Sequence, residues 1–210
     1  MEKVQWKGGA LLAPVPPVMV SCGTMEESNI ITVAWTGLIN TIPPKTYISV
    51  RPSRHSYGII KESGEFAINL TPASLVRTAD FCGIYTGRKV DKFTRCALTK
   101  EPSFSLACPL IGESPLSLEC RVTEIIPLGT HDMFLADIVG VAVDAALLDK
   151  EGKLHIERAG LAAFAHGEYY ELGKRIGTFG FSVRKKGKHT QKTKNNADKN
   201  PHLKNTKNAL

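Results

Sequence analysis

The chain has 210 residues, of which 42% are hydrophobic and 22% charged, with a formal net charge of +7. That length suffices for one domain with a real core, which is the expectation here. The charge is uneven: residues 184–210 hold nine lysines and arginines against Asp198 alone, a net of +8, so the rest of the chain carries −1. The globular part therefore has no general attraction for polyanions.

Residues 184–210 lack Phe, Tyr and Trp and have too few large aliphatic side chains to offset chain entropy, so a disordered tail is expected. Without aromatic rings to stack on bases, the tail argues against a nucleic-acid partner. The five cysteines, Cys22, Cys82, Cys96, Cys108 and Cys120, are at least twelve positions apart and form no C-x-x-C pair. This spacing excludes zinc-finger and iron–sulfur patterns and predicts free thiols in a reducing, cytoplasmic compartment. The apolar run over residues 10–20 is interrupted by Pro14, Pro16 and Pro17 and preceded by Glu2, so no signal peptide is expected. No run is long enough to span a bilayer, and no membrane partner is expected.

In chain order, β-rich runs over Val18–Cys22 and Asn29–Thr36, separated by the turn-like G-T-M-E-E-S, predict an antiparallel pair. Thr46–Val50 alternates as a third strand. His55–Glu62, followed by Ser63–Gly64, predicts a short helix closed by glycine. Glu65–Leu70 places Phe66, Ile68 and Leu70 on one face of a strand. Ser74 is expected to cap a helix ending at Gly83, with another turn or two over Lys89–Cys96. Three prolines make Pro102–Pro115 an irregular connection. Leu116–Leu128 and Met133–Asp144 flank P-L-G-T-H-D and predict the longest hairpin. Lys153–Ile156 reads as a short edge strand, whereas the alanines of Ala159–Ala165 leave that segment unassigned. Many short strands, a few helices and no βαβ alternation predict a mainly β antiparallel barrel with added helices, in a single domain over residues 1–183.

The chemistry-bearing residues concentrate early. Arg51, Ser53, Arg54 and Ser56 follow a strand and open a predicted helix, where backbone N–H groups and guanidinium donors suit a phosphate dianion. By chemistry alone an exposed basic turn is the slightly favoured reading. Asn29, Thr32, Trp35 and Thr36 lie on both faces of one strand by period-2 counting, and Trp35 read alone is a core aromatic. Arg88 and Lys92 stand in a polar helix start, His131 in the turn of the long hairpin, and Phe164 in the unassigned segment. There is no G-x-G-x-x-G, G-x-S-x-G or H-E-x-x-H, which counts against a Rossmann, hydrolase or metalloenzyme site.

Five blocks in order carry a resemblance. They are S-N-I-I-T-V-A-W-T-G-L-I-N-T-I-P-P-K-T-Y-I-S-V-R-P-S-R-H-S at Ser28–Ser56, Y-T-G-R-K-V-D-K-F at Tyr85–Phe93, L-A-C-P at Leu106–Pro109, G-T-H-D-M-F-L-A-D-I-V at Gly129–Val139, and Tyr169–Ser182. Together the segment from Pro14 to Ser182 resembles the flavin reductase-like (flavoredoxin-like) family of FMN-binding split barrels with Greek-key topology. The resemblance implies bound FMN. It places the phosphate at Arg51, Ser53, Arg54 and Ser56, and the ring against Asn29, Thr32, Trp35 and Thr36. Lys92, with Arg88 as a weaker candidate, becomes a cation near the flavin, His131 a binding or orienting residue, and Phe164 a cover over the ring. The family also implies a homodimer and electrons drawn from NAD(P)H or a redox protein, then passed to free flavin, ferric complexes or a protein. Lacking a dinucleotide fingerprint, the chain is expected to bind nicotinamide only transiently, stacked on the flavin. The alternative is a non-enzymatic FMN electron carrier docking to a larger redox partner.

Overall fold

Period-2 alternation in the first strands sets the architecture, because both of their faces are apolar. In β1 (Val18–Gly23), Val18, Val20 and Cys22 enter one core cluster while Met19 enters a second. In β2 (Ser28–Val33), Ile31 and Val33 join the first cluster and Ile30 the second. Each strand is thus sandwiched between a barrel interior and a helical layer. The sheet continues through β3 (Thr36–Thr41), β4 (Pro44–Val50) and β5 (Glu65–Asn69). A small ribbon, β6 (Lys100–Glu101) and β7 (Leu110–Ile111), interrupts it before the long strands β8 (Leu116–Pro127) and β9 (Asp132–Val143).

The seven main strands pair antiparallel in the order β2-β1-β5-β8-β9-β4-β3. The two edge strands, β2 and β3, are joined directly through Ala34 and Trp35, and the Ser49 N–H donates to the Trp35 carbonyl at 2.9 Å. The sheet thereby curls on itself as the expected split barrel, which limits edge exposure. Its interior is filled by Ile48, Val50, Ile60, Phe66, Ile68, Cys120, Phe134 and Ala136. Fully burying each large side chain contributes about 1.5–3 kcal/mol.

Three helices cap the barrel. α1 (His55–Ser63) ends where Gly64, at φ 68°, donates its N–H to the Ile60 carbonyl, the left-handed stop that glycine tolerates best. Tyr57 of α1 donates to Asp132 at 2.6 Å and sets its ring edge-on to Phe134, fastening the helix across the start of β9. A 3-10 turn at Ala73–Leu75 leads into α2 (Val76–Ile84), and α3 (Lys92–Arg95) begins at the Asp91 cap. A ribbon of β10 (Ala162–Ala165) and β11 (Glu168–Glu171) completes the unit.

The computed structural model describes residues 1–183, so the tail expected to be disordered lies outside the described residues. The chain divides into two compact units, Met1–Lys174 and Arg175–Leu210; the described part of the second holds one 3-10 turn at Phe181–Val183. Among the described residues no helix is long and apolar enough to cross a membrane.

Several expectations are corrected. The run read as one strand over Asn29–Thr36 breaks after Val33, and Thr36 begins a separate strand that the sequence reading missed. Ser74 caps no helix: it lies inside the 3-10 turn, and α2 starts with no side-chain cap. Lys153–Ile156 forms no strand; Leu154 makes an isolated bridge to Leu148, and Ile156 opens a 3-10 turn.

Candidate functional site

The polar groups of the first blocks converge where β2, the start of α1 and the loop after α2 meet. A cavity of about 410 Å³ is bounded by Asn29, Arg51, Ser53, Arg54, His55, Ser56, Cys82, Thr86, Gly87 and Lys92. A second, of about 170 Å³, shares Ile31, Arg51 and Arg54 with it and extends to Thr32, Trp35, Ser49 and His131. The two form a continuous groove, and neither wall includes an aspartate or glutamate.

One wall is buried and already bonded to the protein. Asn29, 4% exposed at the start of β2, donates to the Ser56 hydroxyl at 2.7 Å. Gly87 closes over it: a Cβ there would stand 2.1 Å from the Asn29 Oδ1, so only glycine permits this approach. Lys92, 3% exposed, donates to the carbonyls of Ile30 at 2.6 Å and Cys82 at 2.7 Å, tying β2 to α2. Burial pushes its ammonium below the ordinary lysine range, and the Arg54 charge adds to that, while the neighbouring Cys82 and Cys22 thiols pull the other way. The Thr32 hydroxyl donates to the Ala79 carbonyl of α2.

The opposite wall is exposed. Arg51, Ser53 and Arg54 precede α1 and are all solvent-facing, and neither guanidinium has an ion-pair partner among the described residues. The α1 start has no side-chain cap and no acidic residue in its first turn, leaving backbone N–H groups open to an anion. His131 is held below the usual histidine range by burial and then by Arg51 and Arg54; His55 is lowered by burial and then by Arg88 and Lys92. The whole groove therefore favours negative charge.

Nine of the twelve sequence-predicted residues line the groove: Asn29, Thr32, Trp35, Arg51, Ser53, Arg54, Ser56, Lys92 and His131. Three do not. Thr36 donates its hydroxyl to the Tyr47 carbonyl at 2.6 Å, which pins the start of β3 to β4. Arg88 stays exposed outside the groove wall, within electrostatic reach of His55. Phe164 packs against Tyr169 and lines another, mainly apolar cavity of about 280 Å³ together with Leu11, Leu12, Val15 and Trp35. The sequence reading missed His55, Cys82 and Gly87 as wall residues. The signal for Gly87 was a glycine in the loop that leaves a helix, and its partner Asn29 is far away in sequence.

The flavin reductase like domain model matches residues 12–173. The chain belongs to the flavin reductase-like family. Its fold is similar to flavoredoxin of Desulfovibrio vulgaris (Miyazaki F), at 30% identity and a TM-score of 0.81 over 87% of this chain and 100% of that one. It is also similar to flavoredoxin from Methanosarcina acetivorans, at 25% identity and a TM-score of 0.79 over 88% and 100%. An uncharacterised protein of Archaeoglobus fulgidus is 29% identical over 142 residues, 68% of this chain and 78% of that protein. In this flavin reductase-like chain the matched segment contains every residue of the groove.

Proposed function

We propose that the chain is an FMN-binding oxidoreductase whose cofactor occupies this groove. The observation that carries the reading is the pairing of unneutralised guanidinium groups and open helix amides at one end with a buried, preorganised polar wall beside them. These features fit a ligand with a phosphate at one end and a planar polar ring at the other. Arg51, Ser53, Arg54 and the first amides of α1 would hold the phosphate. Asn29, Trp35, Lys92 and His131 would border the ring.

Bound FMN supplies a carrier that exchanges electrons with a nicotinamide or with another redox centre. The chain positions that carrier and excludes charge of the wrong sign. The Lys92 ammonium, fixed by two carbonyls, would favour the more negative redox state of a bound flavin and so raise its potential. Trp35, 39% exposed at the break between β2 and β3, gives a flat apolar surface. NAD(P)H or a redox protein would be the donor, and free flavin, a ferric complex or a protein the acceptor. Exposed Leu38, Ile39 and Ile42 on the β3–β4 hairpin suit burial against a second copy, so the active form is taken as a homodimer.

Absorbance scanning of the purified protein with FMN titration tests the reading. Visible flavin bands, or saturable uptake, are expected; a colourless protein that takes up no FMN overturns it. Stopped-flow mixing with NADH and NADPH then separates a reductase, whose flavin bleaches, from an electron carrier, whose flavin stays oxidised. Sedimentation velocity checks the dimer.

A further inference from the structure

The connection from β9 to β10 is pinned at both ends, by the buried side chain of Leu147 and by the Gly160 carbonyl, which accepts the Ala73 N–H at 2.8 Å. Between these points its only sheet-like pairing is the isolated bridge of Leu148 with Leu154. Asp149 organises the turn inside that bridge. Its Oδ1 accepts the N–H groups of Glu151 at 3.1 Å and Lys153 at 2.8 Å, and its Oδ2 stands 2.8 Å from Nε2 of His155. On the other side of the same ring, Nδ1 stands 3.1 Å from Oε1 of Glu157, in the 3-10 turn Ile156–Arg158. The His155 side chain is only 17% exposed, so water does not readily replace either contact.

A carboxylate on each ring nitrogen decides the state of the imidazole. The neutral ring has one N–H and one lone pair, so it donates to one carboxylate and turns a lone pair toward the other; only the imidazolium donates to both. We propose that His155 is a proton-operated clasp on the β9–β10 connection: charged, it joins the Asp149 turn to the 3-10 turn that carries Glu157, and on losing its proton it lets go of one of them.

The charged groups that act on the ring agree with this geometry. The Asp149 bond first and the Glu157 bond second raise His155 above the ordinary histidine value, and burial and the Arg158 charge offset part of the rise. Asp149 is lowered in return, chiefly by the same bond. Because the folded value stands above the unfolded one of about 6.5, the clasp is fully closed below about pH 6.5 and is lost as the pH rises through the raised value. His55 and His131, which are lowered, have the opposite sign. The clasp does not depend on what the groove binds.

Two measurements on the full chain test it. In an NMR titration, with the His155 signal assigned by its loss in His155→Gln, the midpoint should lie above about 6.5 and should fall in Asp149→Asn and, by less, in Glu157→Gln. Trypsin cleavage after Lys150, Lys153 and Arg158, mapped by mass, should then speed up as the pH rises through that midpoint. A synthetic peptide of residues 145–161 in the same digest corrects for the protease's own pH dependence. The corrected rate should climb by at most about tenfold per pH unit, the limit for one proton, and should be independent of pH in His155→Gln. A wild-type midpoint at or below about 6.5 overturns the proposal without any variant. So does a corrected cleavage rate that is flat across the midpoint, or one that climbs equally in His155→Gln.

Discussion

On the exposed wall of the groove Arg51, Ser53 and Arg54 have no ion-pair partner among the described residues, whereas on the buried wall Asn29, Ser56 and Lys92 are each bonded to another part of the protein. The two walls teach different lessons about polar groups. Buried donors cannot wait for a ligand, because an unsatisfied buried group costs about 1–3 kcal/mol, so they are consumed in building the wall. Exposed donors are hydrated while free and cost little to leave unpaired. Mutations on the buried wall should therefore damage the fold first and binding second; mutations on the exposed wall should reach binding alone.

The largest effect is expected from Lys92→Ala. It deprives the carbonyls of Ile30 and Cys82 of a charged donor, and about 2–5 kcal/mol of stability should be lost. Urea unfolding measures it, and flavin content should fall with it; an unchanged midpoint would mean that Lys92 holds nothing together. Gly87→Ala comes next. The added methyl would collide with the Asn29 amide at 2.1 Å, so either Asn29 turns away from Ser56 or the loop lifts, at about 2 kcal/mol. Weaker FMN binding should accompany the loss. Arg54→Ala should behave in the opposite way, weakening FMN by about 10- to 100-fold while stability stays within about 0.5 kcal/mol. If Arg54→Ala unfolded the protein and left FMN affinity intact, the division between the walls would be wrong.

How far the sequence spoke for itself follows the same division. The barrel strands were legible because burial writes itself in the sequence, as a two-sided apolar run in Val18–Cys22 and as one-sided alternation through Phe134, Ala136 and Ile138 in the long hairpin, and α1 announced its end at Gly64. The break at Ala34–Trp35 was not legible, since the residues on both sides of it remain β-forming and a bend between two edge strands depends on the closure of the sheet. β3 was missed because Leu38, Ile39 and Asn40 are all exposed and present no alternation. β10 was hidden by its alanines, whose small side chains give periodicity little contrast. In the site, the exposed cluster Arg51–Ser56 was visible because it is local. The structural roles of Thr36 and Lys92 were not, because they depend on acceptors at Tyr47, Ile30 and Cys82 that only the fold brings near. Thr36→Val checks this reading of Thr36: it should cost about 1 kcal/mol of stability and leave FMN affinity unchanged.

The smallest effect expected is a pH dependence centred on the exposed wall. His55 and His131 are both held below the usual histidine range, by burial first and by nearby Arg and Lys charges second. Between those lowered values and about 6.5 the unfolded chain binds protons that the folded chain refuses, so stability rises with pH in that window and falls as the pH drops through it. Replacing both residues with glutamine should flatten this part of the profile, measured as thermal midpoint between about pH 6.5 and 5. Inorganic phosphate should also lessen it in the wild type, because an anion beside Arg51 and Arg54 offsets the charge repulsion that adds to burial in lowering His131. A slope that survives both the double replacement and added phosphate would place the titrating groups elsewhere and remove the case for an electrostatically exposed wall.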